Sequence, residues 1–96
     1  MERNIINLVF DSTISGLAGN DYGVSEYKKQ LENKVDYEKI NVIIFPQNIK
    51  KVAISFVQGM FNNVLKRISK EEIDKYIEIQ TSYPKLTNKI IDNIKF

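Results

Sequence analysis

A run of consecutive apolar residues followed by a long amphipathic segment is the most informative pattern in this chain. The residues from Val42 to Phe45 are all apolar, which is typical of a central strand covered on both faces. Pro46 cannot donate to a strand ladder and Asn48 favours a turn, so the strand is predicted to end there. Ser55 then opens a segment with a broad apolar stripe, which predicts a helix. A buried strand therefore leads through a loop to a serine at the start of a helix.

Weaker patterns on either side predict the remaining elements. Residues 4–10 alternate and are rich in β-branched side chains, which predicts a first strand, with a short strand at 13–15 after it. Residues 22–33 place apolar side chains three and four positions apart, as on one face of a helix. Residues 76–81 alternate as in a half-buried strand, and a last helix opens at Ser82 with a proline in its first turn.

The order of these elements predicts the α/β class. We expect a small α/β sandwich with a central mixed sheet of three to four strands and three main helices. The chain has 96 residues, 43% apolar and 27% charged, so residues 1–96 are expected to form a single domain. Gly59 lies inside the predicted central helix at a cost of about 1 kcal/mol relative to alanine, which indicates close packing against a neighbouring backbone.

The amino-acid composition excludes several kinds of catalytic and metal-binding site. The chain contains no cysteine and no histidine, so a disulfide framework, a thiol nucleophile, an imidazole base and a tetrahedral zinc site are all excluded. The aspartates are scattered, and the glycines match neither of the common phosphate-binding patterns. We therefore expect no catalytic residues, no metal, no cofactor and no enzymatic activity.

Charge and hydropathy limit the classes of partner that the chain is expected to bind. Fourteen basic and twelve acidic residues give a net charge of +2, and the two signs are mixed along the chain, so nucleic-acid binding is not expected. No apolar run approaches the ~20 residues that cross a bilayer, and the N-terminus lacks the apolar core of a signal peptide. We expect no membrane association and a cytoplasmic location. The alternating strand at 76–81 could pair with a copy of itself, so a homodimer is an open alternative.

The central stretch IIFPQNIKKVAISFVQGMF, residues 43–61, resembles bacterial STAS-like domains grouped as a domain of unknown function. In that family a strand ends in a phenylalanine–proline turn, and a serine–phenylalanine pair opens the next helix. The segment NDYG, residues 20–23, is similar to a glycine-bearing segment of the same family. The resemblance covers residues 13–81 and implies a single STAS-like domain.

The same resemblance implies a partner and a modification site. STAS-like domains of this kind are encoded beside, or fused to, GHKL-type ATPase domains, so a GHKL-type ATPase or kinase is the implied partner. In the related sporulation anti-anti-sigma factors, a serine before the corresponding helix is phosphorylated by the partner kinase. Ser55 is the one position of that motif that carries over.

Two hypotheses describe the function. The first is a non-catalytic regulatory protein-interaction module that binds its partner through the loop after the central strand and the following helix. The residues predicted to contact the partner are Asn48, Lys50, Lys51 and Gln58. The alternative is a stand-alone phage or mobile-element inhibitor that binds and blocks a host protein. Ser55 is interpreted first as a helix cap, since serine is a preferred N-cap residue, and second as a phosphoacceptor, since a helix start favours negative charge.

Overall fold

The computed structural model of the protein describes residues 1–96 and has an α/β fold built on parallel strands. The elements in chain order are β1 (Arg3–Asn7), β2 (Gly16–Leu17), α1 (Asn20–Gln30), β3 (Ile40–Ile44), β4 (Lys51–Val52), α2 (Ile54–Leu65), α3 (Ile73–Tyr76), β5 (Ile77–Gln80) and α4 (Pro84–Lys95). The predicted α/β class is confirmed, and α3 is a single turn beside the three longer helices. None of the helices combines the length and the apolar character needed to cross a bilayer.

The main sheet has three strands in the order β1-β3-β5. Its centre is β3, as the apolar run predicts, and Val42 and Ile43 on this strand have no exposed surface. Both pairings of β3 are parallel, so the expectation of a mixed sheet is wrong. Parallel neighbours need long connections. The connection from β1 to β3 contains α1, and the connection from β3 to β5 contains α2 and α3.

The strands β2 and β4 form a separate two-stranded parallel ribbon. The short strand expected at 13–15 begins instead at Gly16, and it pairs with β4 outside the main sheet. A strand of two residues has no sequence pattern of its own. The ribbon forms because the loops that follow β1 and β3 lie side by side at one end of the parallel sheet.

The two faces of the main sheet have different surroundings. Residues in register point to the same face of a parallel sheet. On one face Ile6, Ile43 and Ile79 are in register and belong to a single hydrophobic core with residues of the long helices. On the other face Ile5 is in register with Val42 and is 52% exposed. The helices therefore cover one face of the sheet.

An ion pair crosses the uncovered face. Arg3 on β1 donates a hydrogen bond to the carboxylate of Glu78 on β5 at 2.9 Å. Since β3 lies between these two strands, the pair extends over the central strand. This explains why Val42 is fully buried on a face that no helix covers. The hydrogen bond from Arg3 also holds the pKa of the Glu78 carboxyl below its ordinary value.

The helices α1 and α2 are in backbone contact where two glycines lie. A Cβ atom added at Gly59 would lie 2.1 Å from the carbonyl oxygen of Asn20, and one added at Gly23 would lie 2.2 Å from that of Phe56. No side chain fits at either position, because the neighbouring atoms belong to the other helix's backbone. The predicted role of Gly59 in close packing is confirmed, and its neighbour is α1. We call this contact the glycine seam.

Candidate interaction groove

An open groove of about 860 Å³ lies between the ribbon and the start of α4. Its lining comes from segments that are far apart in the sequence, at residues 16–18, 50–53 and 83–89. A volume of this order is typical of a binding site. A second, polar pocket has a volume of about 180 Å³, and Tyr37, Arg67 and Tyr76 help to line it. The larger groove is therefore the candidate site.

Backbone hydrogen bonds between two loops build the ribbon wall of the groove. The N–H groups of Lys50 and Lys51 both donate to the carbonyl of Ser15, at 2.8 and 3.2 Å. The N–H group of Ala53 donates to the carbonyl of Leu17 at 2.8 Å. With the backbone held in this way, the side chains of Lys50 and Lys51 are exposed at the groove.

Asn48 fastens the same two loops together. Its side-chain amide donates to the carbonyls of Asp11 and Ile14, at 3.1 and 2.7 Å. Both amide protons are used in these bonds, and the residue is half-buried and does not line the groove. The predicted contact of Asn48 with a partner stays a prediction. Its side chain positions the loop that carries the two lysines.

The other wall is the first part of α4. Tyr83 is the N-cap residue of this helix, and its hydroxyl donates to the carbonyl of Gln47 at 2.9 Å. This bond holds the start of α4 against the loop after β3. Leu86 is buried, while Lys85 and Lys89 are exposed on the same helix and also line the groove. The spacing of four residues places the two lysines on one helix face, one turn apart.

The groove is rich in cations that have no partner in the protein. Its charged lining consists of Lys50, Lys51, Lys85 and Lys89, which we call the groove lysines. None of them forms an ion pair or a side-chain hydrogen bond, and no carboxylate lines the groove. By contrast, Lys29, Lys39, Lys75 and Lys95 each lie beside a carboxylate. Four unpaired lysines with no carboxylate among them give the groove a positive potential.

Between the groove lysines the lining is apolar and small. The apolar side chains are Leu17, Val52 and Leu86, and the small residues are Gly16, Ala18 and Ala53. A Cβ atom added at Gly16 would meet nothing closer than 3.8 Å. The small side chains leave space above the ribbon, and this space is part of the groove.

Two helices begin at the groove, and neither start has a side-chain cap. The N-cap residues are Ala53 for α2 and Tyr83 for α4, and neither helix has an acidic residue in its first turn. The unpaired N–H groups at a helix start carry partial positive charge. This adds to the positive potential of the groove lysines.

Ser55 lies in the first turn of α2 but is not its cap. The N-cap residue is Ala53, and no side chain caps this helix, so the cap prediction is wrong. The Ser55 hydroxyl oxygen instead accepts a hydrogen bond of 3.0 Å from the N–H group of Gly19. Gly19 is the N-cap residue of α1, with φ of 102° that favours glycine. Ser55 therefore joins the starts of α1 and α2.

Gln58 is exposed on α2 and lies outside the groove. It lies one turn after Ile54, which is 39% exposed. Of the four residues predicted to contact a partner, the structure brings Lys50 and Lys51 together in the groove, places Gln58 beyond it and gives Asn48 a structural role.

The sequence analysis missed the α4 side of the groove. Lys85 and Lys89 are spaced as neighbours on one helix face next to the apolar stripe that includes Leu86 and Ile90. This spacing was available from the sequence, but the position of α4 beside β4 was not. The packing of α4 against the sheet and α2 brings the two lysines to the ribbon.

The ionisable side chains that line the groove are the groove lysines and Tyr83. Lysine ammonium groups attract anions in solution. No cluster of three or more carboxylates that could hold a metal ion forms anywhere in the structure.

Comparison with known proteins gave no match to a family model, to a curated protein or to a solved structure. The resemblance to STAS-like domains therefore stays a prediction.

Proposed function

We propose that this protein is a non-catalytic regulatory module that binds another protein at the groove between the ribbon and α4. The observation that carries the proposal is the set of groove lysines, which surround an apolar lining without one carboxylate partner. Unpaired charges at an apolar concave surface favour a binding role, because complementary charge on a partner speeds encounter and suppresses wrong partners. The resemblance noted in the sequence suggests a GHKL-type ATPase or kinase as the partner.

Co-purification from cells that carry the gene tests the proposal. The tagged protein is compared with a Lys50→Glu/Lys51→Glu variant and with a Lys28→Glu/Lys34→Glu variant. Lys28 and Lys34 are exposed, have no ion pair and lie outside the groove. The second variant therefore makes the same change in net charge as the first without altering the groove. We expect the first variant to lose the specific partner and the second to retain it.

The identity of the partner separates the two functional hypotheses. A co-purifying ATPase or kinase would support the regulatory module, whereas a host enzyme that the protein inhibits would support the alternative of a phage or mobile-element inhibitor. Equal recovery of every partner by all three proteins would remove the groove as the binding surface.

Regulation at Ser55 is the second part of the proposal. Phosphorylation would add about −1.5 to −2 charges in the first turn of α2, where a helix start favours negative charge. The phosphoryl group would replace the hydroxyl proton and turn the oxygen that accepts from the Gly19 N–H group into an ester oxygen, so the modification would change the hydrogen bond that joins α1 and α2. Mass spectrometry of the protein from its native cells checks for the modification. A Ser55→Glu variant that binds the partner as well as a Ser55→Gln variant would argue against a charge-dependent switch.

A further inference from the structure

We infer that the groove binds an extended acidic peptide segment of the partner, with apolar side chains between its carboxylates. This inference rests on the proposed function and names the chemistry of the segment. Four properties of the groove support it: its open shape, the distribution of its charges, the lack of a platform on which bases could stack, and its apolar lining.

The shape favours a chain over a small molecule. Small-molecule sites enclose most of the surface of their ligand, whereas this groove is open to solvent. A segment that belongs to a larger protein can lie in an open groove, because the rest of the partner restricts its position and adds contacts outside.

The charges are distributed over both walls. Lys50 and Lys51 stand on the ribbon wall, and Lys85 and Lys89 stand on the α4 wall. A ligand with several carboxylates separated by apolar groups complements the charges on both walls and the apolar lining of the groove.

The lining of the groove favours a peptide over a nucleic acid. Arginine, which recognises nucleic acids by bidentate bonds and by stacking, does not line the groove. Arg3 is paired with Glu78, and Arg67 stacks on the ring of Tyr37 at 4.2 Å. The groove also lacks a stacking platform for bases, since Tyr83 is its one aromatic residue and its hydroxyl is bonded to Gln47.

The apolar lining sets the second requirement on the segment. Leu17, Val52 and Leu86 line the groove, each less than a tenth exposed. Exposed charge pairs by themselves contribute little to affinity. A peptide with carboxylates alone should therefore bind more weakly than one that also has leucine or phenylalanine side chains to place on this lining.

Fluorescence anisotropy with labelled peptides tests the inference on the full chain. The first probe is a heptapeptide with five glutamates and two internal leucines, and two comparison peptides replace all glutamates by glutamine or both leucines by serine. A single-stranded oligonucleotide of mixed sequence and inorganic phosphate, added as a competitor, represent the other anion classes. We expect saturable binding of the first peptide, at least about tenfold weaker binding of both comparison peptides, and weakening by added salt.

Variants connect the binding to the groove. Lys50→Glu/Lys89→Glu reverses one charge on each wall and should weaken binding of the first peptide at least about tenfold, whereas Lys28→Glu/Lys34→Glu should leave it within about twofold. Circular dichroism of each variant confirms that it is folded. Equal binding of the glutamine peptide, tighter binding of the oligonucleotide, full competition by millimolar phosphate, or no peptide binding by the folded protein would each overturn the inference.

The result is separable from that of the co-purification experiment. If a partner is captured through the groove lysines while the acidic peptide does not bind, the protein-binding function stands and the peptide class is wrong. If the peptide binds through the groove lysines but no partner depends on them, the peptide chemistry stands and the proposed function fails.

Discussion

The glycine seam and the groove both depend on small residues, with opposite structural results. In the seam, a Cβ atom at Gly59 would lie 2.1 Å from the carbonyl oxygen of Asn20. In the groove, a Cβ atom at Gly16 would meet nothing within 3.8 Å. The absence of a side chain brings two backbones into contact in one region, whereas the other has room for a Cβ atom at ordinary van der Waals distance. The residue type alone does not distinguish these uses.

The two regions also differ in how their polar groups are used. In the seam and the loops beside it, polar groups bond to one another, as Ser55 does to Gly19. In the groove, four cations have no partner within the protein. We therefore expect changes in the seam to alter the free energy of unfolding, and changes at the groove lysines to alter binding.

Gly59→Ala is expected to give the largest loss of stability. The new methyl group would overlap backbone atoms of α1, which cannot move aside as a flexible side chain can, so the two helices must separate. We expect a loss of about 3 kcal/mol or more in the free energy of unfolding, measured with urea. Gly16→Ala is the matched control and should stay within about 0.5 kcal/mol. Equal losses for the two variants would remove the contrast between seam and groove.

Asn48→Ala is expected to have the next largest effect. It removes both hydrogen bonds from the side chain to the carbonyls of Asp11 and Ile14 and should cost about 1–3 kcal/mol. Hydrogen exchange should also accelerate at the N–H groups of Lys50 and Lys51, because their acceptor lies in the same loop. Asn33→Ala is the control, since Asn33 is exposed. If the two asparagine variants behave alike, the ribbon does not depend on this side chain.

Ser55→Ala tests the hydrogen bond that joins α1 and α2, and it should lower the free energy of unfolding by about 1 kcal/mol. The variant loses the acceptor of the Gly19 N–H group, whereas the backbone at the start of α2 is unchanged. We expect lower stability by urea unfolding and faster hydrogen exchange at Gly19. Ser82→Ala changes an exposed serine and should be nearly neutral. Slower or unchanged exchange at Gly19 in Ser55→Ala would contradict the assigned hydrogen bond.

The smallest effect is a loss of stability at high pH that originates near the seam. Burial raises the pKa of Tyr22 and of Tyr27 in α1 above 10.0. Below that pH both tyrosines are protonated in the folded and unfolded states, and their contribution is fully present. As the pH rises above 10.0, the unfolded chain releases these protons first, so stability falls until the folded protein also releases them. Urea unfolding between pH 8 and 11 measures the slope.

Tyr27→Phe provides the control for the pH dependence. It removes one of the two titrating hydroxyls, so its stability should fall less steeply above pH 10 than that of the original protein. The same slope in both proteins would show that Tyr27 does not contribute.

Hydrophobic periodicity predicted the elements better than it predicted their ends. The consecutive apolar residues of β3 and the stripe of α2 were correctly assigned, because burial on both faces or on one face leaves a direct pattern in the sequence. The N-cap of α2 was placed two residues late, at Ser55 instead of Ala53. Local preference favours serine as a cap, but the Gly19 N–H group, 36 residues away in the chain, occupies the hydroxyl.

The candidate site was half predictable for a similar reason. Lys50 and Lys51 lie at the end of the connection from β3 to β4, and loops at the carboxyl ends of parallel strands are common binding positions. Lys85 and Lys89 belong to α4, and the sequence of its exposed face does not indicate which element lies beside it. Only the packing of α4 beside β4 places them at the same groove.

The sequence by itself determined the class of fold, the central strand, the close approach at Gly59 and the absence of thiol and imidazole chemistry. These follow from local periodicity, from the missing side chain of glycine within a helix, and from composition. The tertiary structure alone decided that all strands of the main sheet are parallel, that Ser55 bonds to α1, and that four lysines from two distant segments share one groove. Each of these depends on which distant residues come into contact, and hydrophobic patterning specifies that a face is buried without specifying against what.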